Sequence, residues 1–227
     1  MATGALLFDL DGTLVDSAAD IARALSIVSI ERGGQAIMPA TVRPLVSLGA
    51  ITLVRQALGP VAGVDSDDLA AFREVLASMP PDPTIVFDGV VDALEVLTAA
   101  GFAMAIVTNK PESLSRQLLS ALALDGYFSA IIGGDSAVAS KPDRAPLDLA
   151  LKQLGLSTRG ALMLGDSAVD AQAAQACGVP FILYTKGYDA AGCCNWPVAA
   201  RFADYGRLPC VINAMVVDAA FPGLLGS

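Results

Sequence analysis

Five short apolar runs recur along the chain, and segments with helical patterns separate the later ones. The runs cover residues 5–10, 102–107, 130–133, 160–164 and 179–183. The helical patterns cover residues 88–100, 111–122, 143–154 and 167–177. Strands that alternate with helices predict a parallel sheet with helices on both faces. Continuous rather than alternating hydrophobicity favours strands that are buried on both sides.

Residues 17–84 interrupt this alternation, because they contain helix signals and no convincing strand. Ser17 and Asp20 have the spacing of a capping box, which predicts the start of a helix. Two further helical patterns cover 41–58 and 66–79. We therefore expect residues 17–84 to form an inserted α-helical cap domain over the carboxyl end of the sheet, where sites of α/β proteins usually lie.

The rest of the chain then forms one core. The sequence predicts an α/β fold in which residues 1–16 and 85–227 build a Rossmann-like parallel sheet core with helices on both faces.

The charge and the composition of the chain limit the classes of partner that we expect. The chain has 227 residues and a net charge of −9, and no basic patch stands out, so we expect no nucleic acid partner. No apolar stretch reaches the roughly 18 residues needed to span a bilayer, so we expect no membrane partner. The four cysteines lack the spacing of a disulfide framework or a zinc site, which favours a cytoplasmic location.

The chain contains no histidine. This excludes serine and cysteine hydrolases that use a histidine base, and zinc sites of the HExxH type. Chemistry must therefore come from carboxylates, lysine, hydroxyls, cysteine or a metal held by oxygen atoms.

Two carboxylates stand at the end of the first apolar run, in the stretch ALLFDLDGT. If the strand geometry continues, Asp9 and Asp11 point the same way, about 6.6 Å apart. Such a pair repels unless a cation lies between the two groups or one of them holds a proton. Gly12 permits a sharp change of chain direction directly afterwards. An ordinary Asx-turn at the end of a strand is the alternative.

Further polar residues reach the same edge of the sheet. Thr108 and Asn109 follow the second strand, Lys141 precedes a helix, and Asp166 follows the fourth strand, with Asp170 one helical turn later. Taken singly, each has an ordinary alternative as a helix cap or a solvated loop charge.

The order DxDGT, VTN, KP and GDxxxD resembles the haloacid dehalogenase superfamily. Within it, the chain resembles the phosphoglycolate phosphatase-like group, which carries a helical cap between the first two motifs. The resemblance covers nearly the whole chain. It implies a Mg²⁺-dependent phosphomonoesterase that acts through an aspartyl-phosphate on a small phosphorylated metabolite, with 2-phosphoglycolate as the best candidate.

The resemblance also implies roles for the residues. Asp9 is expected to be the nucleophile and Asp11 the general acid and base. Asp9, the Asp11 carbonyl and Asp166 are expected to hold Mg²⁺, while Asp170 orients the metal's waters or Lys141. The phosphoryl group is expected to contact Asp9, Gly12, Thr108, Asn109 and Lys141.

The end of the substrate away from the phosphoryl group is expected to contact the cap. The cap contains five arginines and no lysine, and Arg43 or Arg55 is the predicted contact for a small phosphocarboxylate. A phosphatase of another sugar phosphate or of a nucleotide, and a phosphosugar mutase, remain open. A receiver-like phospho-accepting domain and a purely structural role are alternatives of a different class. The oligomeric state is expected to be monomer or homodimer.

Overall fold

The computed structural model describes residues 3–220, with side chains up to residue 215. Six parallel strands form one sheet in the order β3-β2-β1-β4-β5-β6. The strands are Ala5–Phe8 (β1), Ala103–Val107 (β2), Ala130–Ile132 (β3), Ala161–Gly165 (β4), Phe181–Tyr184 (β5) and Ala200–Phe202 (β6). The predicted α/β fold and all five predicted strands are confirmed. The sixth strand was not predicted, because it has three residues and only Phe202 is fully buried.

Nine α-helices are present in the described part of the chain. They are Ala18–Glu31 (α1), Pro39–Val42 (α2), Ala50–Leu58 (α3), Asp65–Ser78 (α4), Val90–Ala99 (α5), Glu112–Ala121 (α6), Ala145–Leu154 (α7), Ala168–Cys177 (α8) and Leu208–Ala220 (α9). The four core helices expected from the sequence are confirmed as α5 to α8. No helix among the described residues is both long and apolar enough to cross a membrane.

The sheet is covered on both faces, and β1 shows how. Leu6 and Phe8 belong to one apolar cluster, together with residues of α5, α6 and α9. Ala5 and Leu7 belong to a second cluster, together with residues of α7 and α8. Because successive side chains of a strand point to opposite faces, a strand buried on both sides must be apolar at every position.

The helices of residues 17–84 pack around a third apolar cluster of their own, which includes Leu25, Val54 and Phe72. Helix α4 agrees with the predicted third helix, but the single helix predicted over 41–58 is wrong. The segment instead comprises α2, a 3₁₀ helix at Arg43–Leu48, and α3. Gly49, which has a φ of +90°, separates the last two because a helix cannot continue through a positive φ.

Two short segments that are hydrogen-bonded side by side connect this helical segment to the rest of the chain. The Asp16 amide donates to the Ile85 carbonyl at 2.7 Å, and the Phe87 amide donates to the Leu14 carbonyl at 3.1 Å. The division into a cap and a core at these connections remains our proposal.

The predicted capping box at Ser17 is wrong. The Ser17 side chain makes no cap hydrogen bond to α1; its hydroxyl donates to the Asp11 carboxylate at 2.5 Å. A hydrogen bond to a charged acceptor is stronger than one to a backbone amide, so the cap interaction is displaced.

Candidate active site

The carboxyl ends of the three central strands bring the sequence motifs together. Asp9 directly follows β1, and its amide continues the ladder by donating to the Leu164 carbonyl at 2.9 Å. Thr108 follows β2 and Asp166 follows β4, the two neighbours of β1. All three side chains are buried. Parallel strands end at one edge, so residues far apart in sequence meet there.

Lys141 lies between two carboxylates. Its Nζ donates to Asp9 Oδ1 and to Asp170 Oδ1, both at 2.7 Å. Burial alone would lower the pKa of this lysine, but the charges of Asp170 and Asp9 outweigh it and raise the pKa. Asn109 holds the lysine's loop in place, because its Nδ2 donates to the Lys141 carbonyl at 3.0 Å.

Asp170 is fixed at the start of α8. Its Oδ2 accepts from the Ser167 amide at 3.1 Å and from the Ser167 hydroxyl at 2.7 Å. These two residues form a true capping box. Gly165 permits the close approach, since a Cβ there would lie 2.5 Å from Asp170 Cγ. With both oxygens engaged, Asp170 is placed to orient Lys141, which is one of the two roles expected for it.

Asp11 faces a different lysine, which the sequence analysis did not assign to the site. Lys110 Nζ donates to Asp11 Oδ1 at 2.9 Å and to Oδ2 at 3.0 Å. The backbone amide of Lys110 also donates to Thr108 Oγ1 at 3.2 Å. The available signal was the position of Lys110 directly after VTN, in a chain with only four lysines.

Asp166 is held by two residues that the sequence analysis also missed. Its Oδ1 accepts from the Thr13 hydroxyl at 3.1 Å, and its Oδ2 accepts from the Tyr188 amide at 2.5 Å. Gly12 has a φ of +88°, and a Cβ there would lie 2.5 Å from Asp166 Oδ2. A glycine is therefore required both by the backbone conformation and by the space. Tyr188 gave no signal, because it lies 22 residues downstream of Asp166 in an irregular segment.

Comparison with known proteins agrees with this geometry. Residues 6–184 match the family model described as haloacid dehalogenase-like hydrolase. The chain belongs to the haloacid dehalogenase-like hydrolase family.

Two curated relatives carry the name phosphoglycolate phosphatase. The protein of Yersinia pestis is 41% identical over 187 residues, which cover 80% of this chain and 81% of the relative. The protein of Rhodobacter capsulatus is 37% identical over 214 residues, covering 92% and 96%. A crystal structure from Haemophilus somnus, described as a predicted phosphoglycolate phosphatase, aligns with a TM-score of 0.78 at 27% identity, covering 93% of this chain and 99% of that one.

The acidic cluster of this haloacid dehalogenase-like hydrolase suits a divalent cation. Oxygen atoms of Asp9, Asp166 and Asp170 lie within 4.8 Å of one another. Burial raises the pKa of Asp9 to about 7, with repulsion from Asp170 and Asp11 adding to it and Lys141 opposing it. Burial, followed by repulsion from Asp170 and Asp9, raises the pKa of Asp166 well above its ordinary value.

The balance of charges in the site also favours a bound divalent cation. Four buried carboxylates (Asp9, Asp11, Asp166 and Asp170) face the ammonium groups of Lys110 and Lys141. When all four carboxylates are ionised, two negative charges stay unbalanced within this group. An oxygen-only donor set with this charge fits Mg²⁺, which prefers oxygen ligands and is bound through one or two carboxylates.

A crevice opens beside the nucleophile candidate; we call it the nucleophile crevice. It has an empty volume of about 260 Å³ and is lined by Asp9, Asp11, Val46, Ser47, Thr108, Asn109, Lys110, Lys141, Ser167, Val169 and Asp170. Neither arginine expected to meet the substrate is among these residues. Arg43 pairs with Asp16 at 2.7 Å, and Arg55 pairs with Asp65, to which its Nε donates at 2.9 Å. Both side chains are largely exposed, so we revise that expectation.

Proposed function

We propose that this chain is a Mg²⁺-dependent phosphomonoesterase that forms an aspartyl-phosphate on Asp9, with 2-phosphoglycolate as its substrate. One observation carries the proposal: the two carboxylates of the DxD motif lie in one buried crevice, and each is held by a different lysine. Two chemically similar groups in different surroundings can take different roles. The names of the curated relatives support the substrate.

Asp9 acts as the nucleophile. Its free carboxylate oxygen forms a bond to phosphorus while the bond from phosphorus to the leaving oxygen breaks. Lys141 keeps Asp9 oriented through Oδ1 and compensates negative charge that gathers on the phosphoryl oxygens. Thr108 and Asn109 are proposed to contact those oxygens. The Gly12 amide, which was expected to join them, instead donates to the Val15 carbonyl at 2.8 Å.

Asp11 acts as the general acid and then as the general base. It donates a proton to the leaving oxygen in the first step. In the second step it takes a proton from the water that attacks the aspartyl-phosphate, which releases inorganic phosphate and regenerates Asp9. Lys110 orients the carboxylate that Asp11 becomes after the first transfer, and this carboxylate takes the proton in the second.

The cation site completes the centre. Asp9, Asp166 and the Asp11 carbonyl would hold Mg²⁺, which when bound supplies positive charge to the transferring phosphoryl group. Thr13 and the Tyr188 amide orient the Asp166 carboxylate for this role.

The name phosphoglycolate phosphatase, which the curated relatives carry, favours a small phosphorylated metabolite. Other sugar phosphates remain the alternative substrates. All four cysteines are free thiols, which supports the proposed cytoplasmic location.

The decisive experiment measures turnover of p-nitrophenyl phosphate and 2-phosphoglycolate by the purified protein. We expect activity with Mg²⁺ that is lost on chelation. Asp9→Asn should lower kcat by at least about 1000-fold because the nucleophile is lost, while the exposed control Asp67→Asn should match the wild type. Acid-quenched wild-type protein should carry one phosphoryl group on the peptide with Asp9. Substantial activity of Asp9→Asn, or a phosphoryl group on another peptide, would refute the proposal.

A further inference from the structure

The five arginines of residues 17–84 fall into two groups. Four of them form ion pairs, which are Arg23 with Asp20, Arg32 with Asp68, Arg43 with Asp16 and Arg55 with Asp65. Arg73 has no ion pair among the described residues. Its Nε is buried and has no hydrogen-bond partner in the same part of the chain.

A buried guanidinium nitrogen without a partner is costly, because its lost hydration is not replaced. The cost is avoided when a ligand supplies the acceptor. The position of Arg73 must therefore be compared with that of the active site.

Arg73 lies on α4 and reaches the active site from the cap side. It lines a second crevice, which we call the arginine crevice, together with Asp11, Val46, Asn109, Lys110 and mostly apolar residues of the helices around it. The arginine crevice and the nucleophile crevice share Asp11, Val46, Asn109 and Lys110. A ligand that fills both crevices therefore contacts Asp9 at one end and Arg73 at the other.

The surroundings of Arg73 favour an anionic ligand group. The walls of the arginine crevice are mostly apolar, which strengthens a charged interaction within it. Asp11 is the one acidic residue on those walls. Its two oxygens already accept hydrogen bonds from Lys110, and Oδ1 accepts another from Ser17. The negative charge of Asp11 is therefore paired with the Lys110 ammonium group, and Arg73 is left without an acidic partner on these walls.

We propose that Arg73 binds the carboxylate of the substrate and thereby selects phosphomonoesters that carry a carboxylate. A guanidinium matches a carboxylate in a two-point hydrogen-bonded pair, and this geometry gives specificity as well as affinity. The inference rests on the proposed function and names the residue that binds the substrate's carboxylate. It replaces Arg43 and Arg55 in that role.

The test compares two substrates that differ only at that end: 2-phosphoglycolate and 2-hydroxyethyl phosphate, in which a hydroxymethyl group replaces the carboxylate. Arg73→Gln should lower kcat/KM for 2-phosphoglycolate by about 100-fold, since a charge-assisted pair is lost. For 2-hydroxyethyl phosphate the same variant should change kcat/KM less than about 3-fold. Arg73→Lys should retain an intermediate part of the activity on 2-phosphoglycolate.

Arg55→Gln is the matched control. Arg55 also belongs to the helices of residues 17–84, on α3, but it pairs with Asp65 and is exposed. It should stay within about 2-fold of the wild type on both substrates. Thermal unfolding of each variant checks that the fold is retained.

The outcomes separate the two proposals. If Arg73→Gln loses activity equally on both substrates, or on neither, the role of Arg73 in carboxylate recognition is refuted. If the wild type hydrolyses both substrates equally well, the phosphatase stands and carboxylate recognition fails. If the wild type hydrolyses no phosphomonoester with Mg²⁺, the proposed function itself fails.

Discussion

Lys110 Nζ lies 2.9 Å and 3.0 Å from the two carboxylate oxygens of Asp11. The pair is almost fully buried, with side-chain exposures of 9% and 7%. A single lysine thus contacts both oxygens of the proposed acid and base, while Lys141 contacts Asp9, the proposed nucleophile. The two halves of the DxD motif are held by separate cations.

The Lys110 contact leads to the first prediction. Lys110→Met keeps the length of the side chain but removes the ammonium group, so Asp11 loses its orienting partner. We expect kcat on p-nitrophenyl phosphate to fall by about 10- to 100-fold. This is less than the roughly 100- to 10,000-fold contribution of a proton-transfer group, because Asp11 itself is retained. Steady-state kinetics measure this, and Lys152→Met on the exposed face of α7 is the control. Unchanged kcat in Lys110→Met would contradict the role given to Lys110.

Tyr188 ties the start of the cap to the core, which leads to a second prediction. Its hydroxyl donates to Asp16 Oδ1 at 2.8 Å and accepts from the Ala18 amide at 3.0 Å. Tyr188→Phe leaves both groups without this partner, so we expect a loss of about 2 kcal/mol in the free energy of unfolding. For a chain of this size, this lowers Tm by roughly 4–8 °C. Calorimetry measures the change.

Tyr184→Phe is the matched control for that measurement. Tyr184 is buried, whereas Tyr188 is partly buried, and the hydroxyl of Tyr184 makes no hydrogen bond to another described residue. Its removal should therefore shift Tm by less than about 2 °C. Equal shifts in the two variants would show that the hydroxyl of Tyr188 has no special contribution.

Asp68 provides a prediction on pH dependence. Burial raises its pKa, but hydrogen bonds from Arg32 and from the Gly63 amide outweigh burial and hold the pKa below 3.8. A lowered folded-state pKa stabilises the fold above the unfolded-state pKa, and this stability disappears as the pH falls through the folded-state value. We expect Asp68→Asn to lose about 2 kcal/mol at neutral pH, because one partner of a buried pair is removed beside a partly exposed arginine.

Urea unfolding at several pH values measures how the stability contributed by Asp68 depends on pH. The difference between the wild type and Asp68→Asn should be complete above about pH 5 and should shrink as the pH falls below about 4. The neighbouring exposed residue gives the control Asp67→Asn, for which a small difference is expected at both values. A difference for Asp68→Asn that does not depend on pH would contradict the assignment.

The cysteines provide a prediction on reactivity. Cys194 and Cys210 are exposed, whereas Cys177 and Cys193 are buried. Burial and a hydrogen bond with Asp148 raise the pKa of Cys177 to about 11. Burial, with repulsion from Asp170 and Asp189, raises the pKa of Cys193 to about 12. At about pH 8 the thiolate population of these two is small, and their reaction is slow.

A disulfide exchange reagent that releases a chromophore counts the thiols. We expect two fast equivalents from the folded protein and four after unfolding in urea. Four fast equivalents from the folded protein would show that Cys177 and Cys193 are accessible.

Much of this arrangement can be read from the sequence, because its signals are local. Continuous apolar runs predict doubly buried strands, and Asp9, Thr108 and Asp166 each follow such a run directly. Since parallel strands share one carboxyl edge, local position alone predicts that these residues lie near one another.

Local patterns are insufficient where two partners compete. Ser17 has the spacing of a capping box, yet its hydroxyl donates to Asp11. A helical pattern extends across 41–58, but Gly49 adopts a positive φ and separates the 3₁₀ helix from α3. Strand β6 is too short to give a signal and is defined by its pairing with β5.

The sequence by itself determined the alternation of the first five strands with the core helices, the edge where the acids gather and the family. Only the tertiary structure decided the partners of the charged side chains. It places Lys110 on Asp11, pairs Arg43 and Arg55 with acids outside the nucleophile crevice, and leaves Arg73 facing the active site. The succession of strands and helices along the chain follows from hydrophobic patterns. The partner of a charged side chain depends instead on distance and burial in three dimensions.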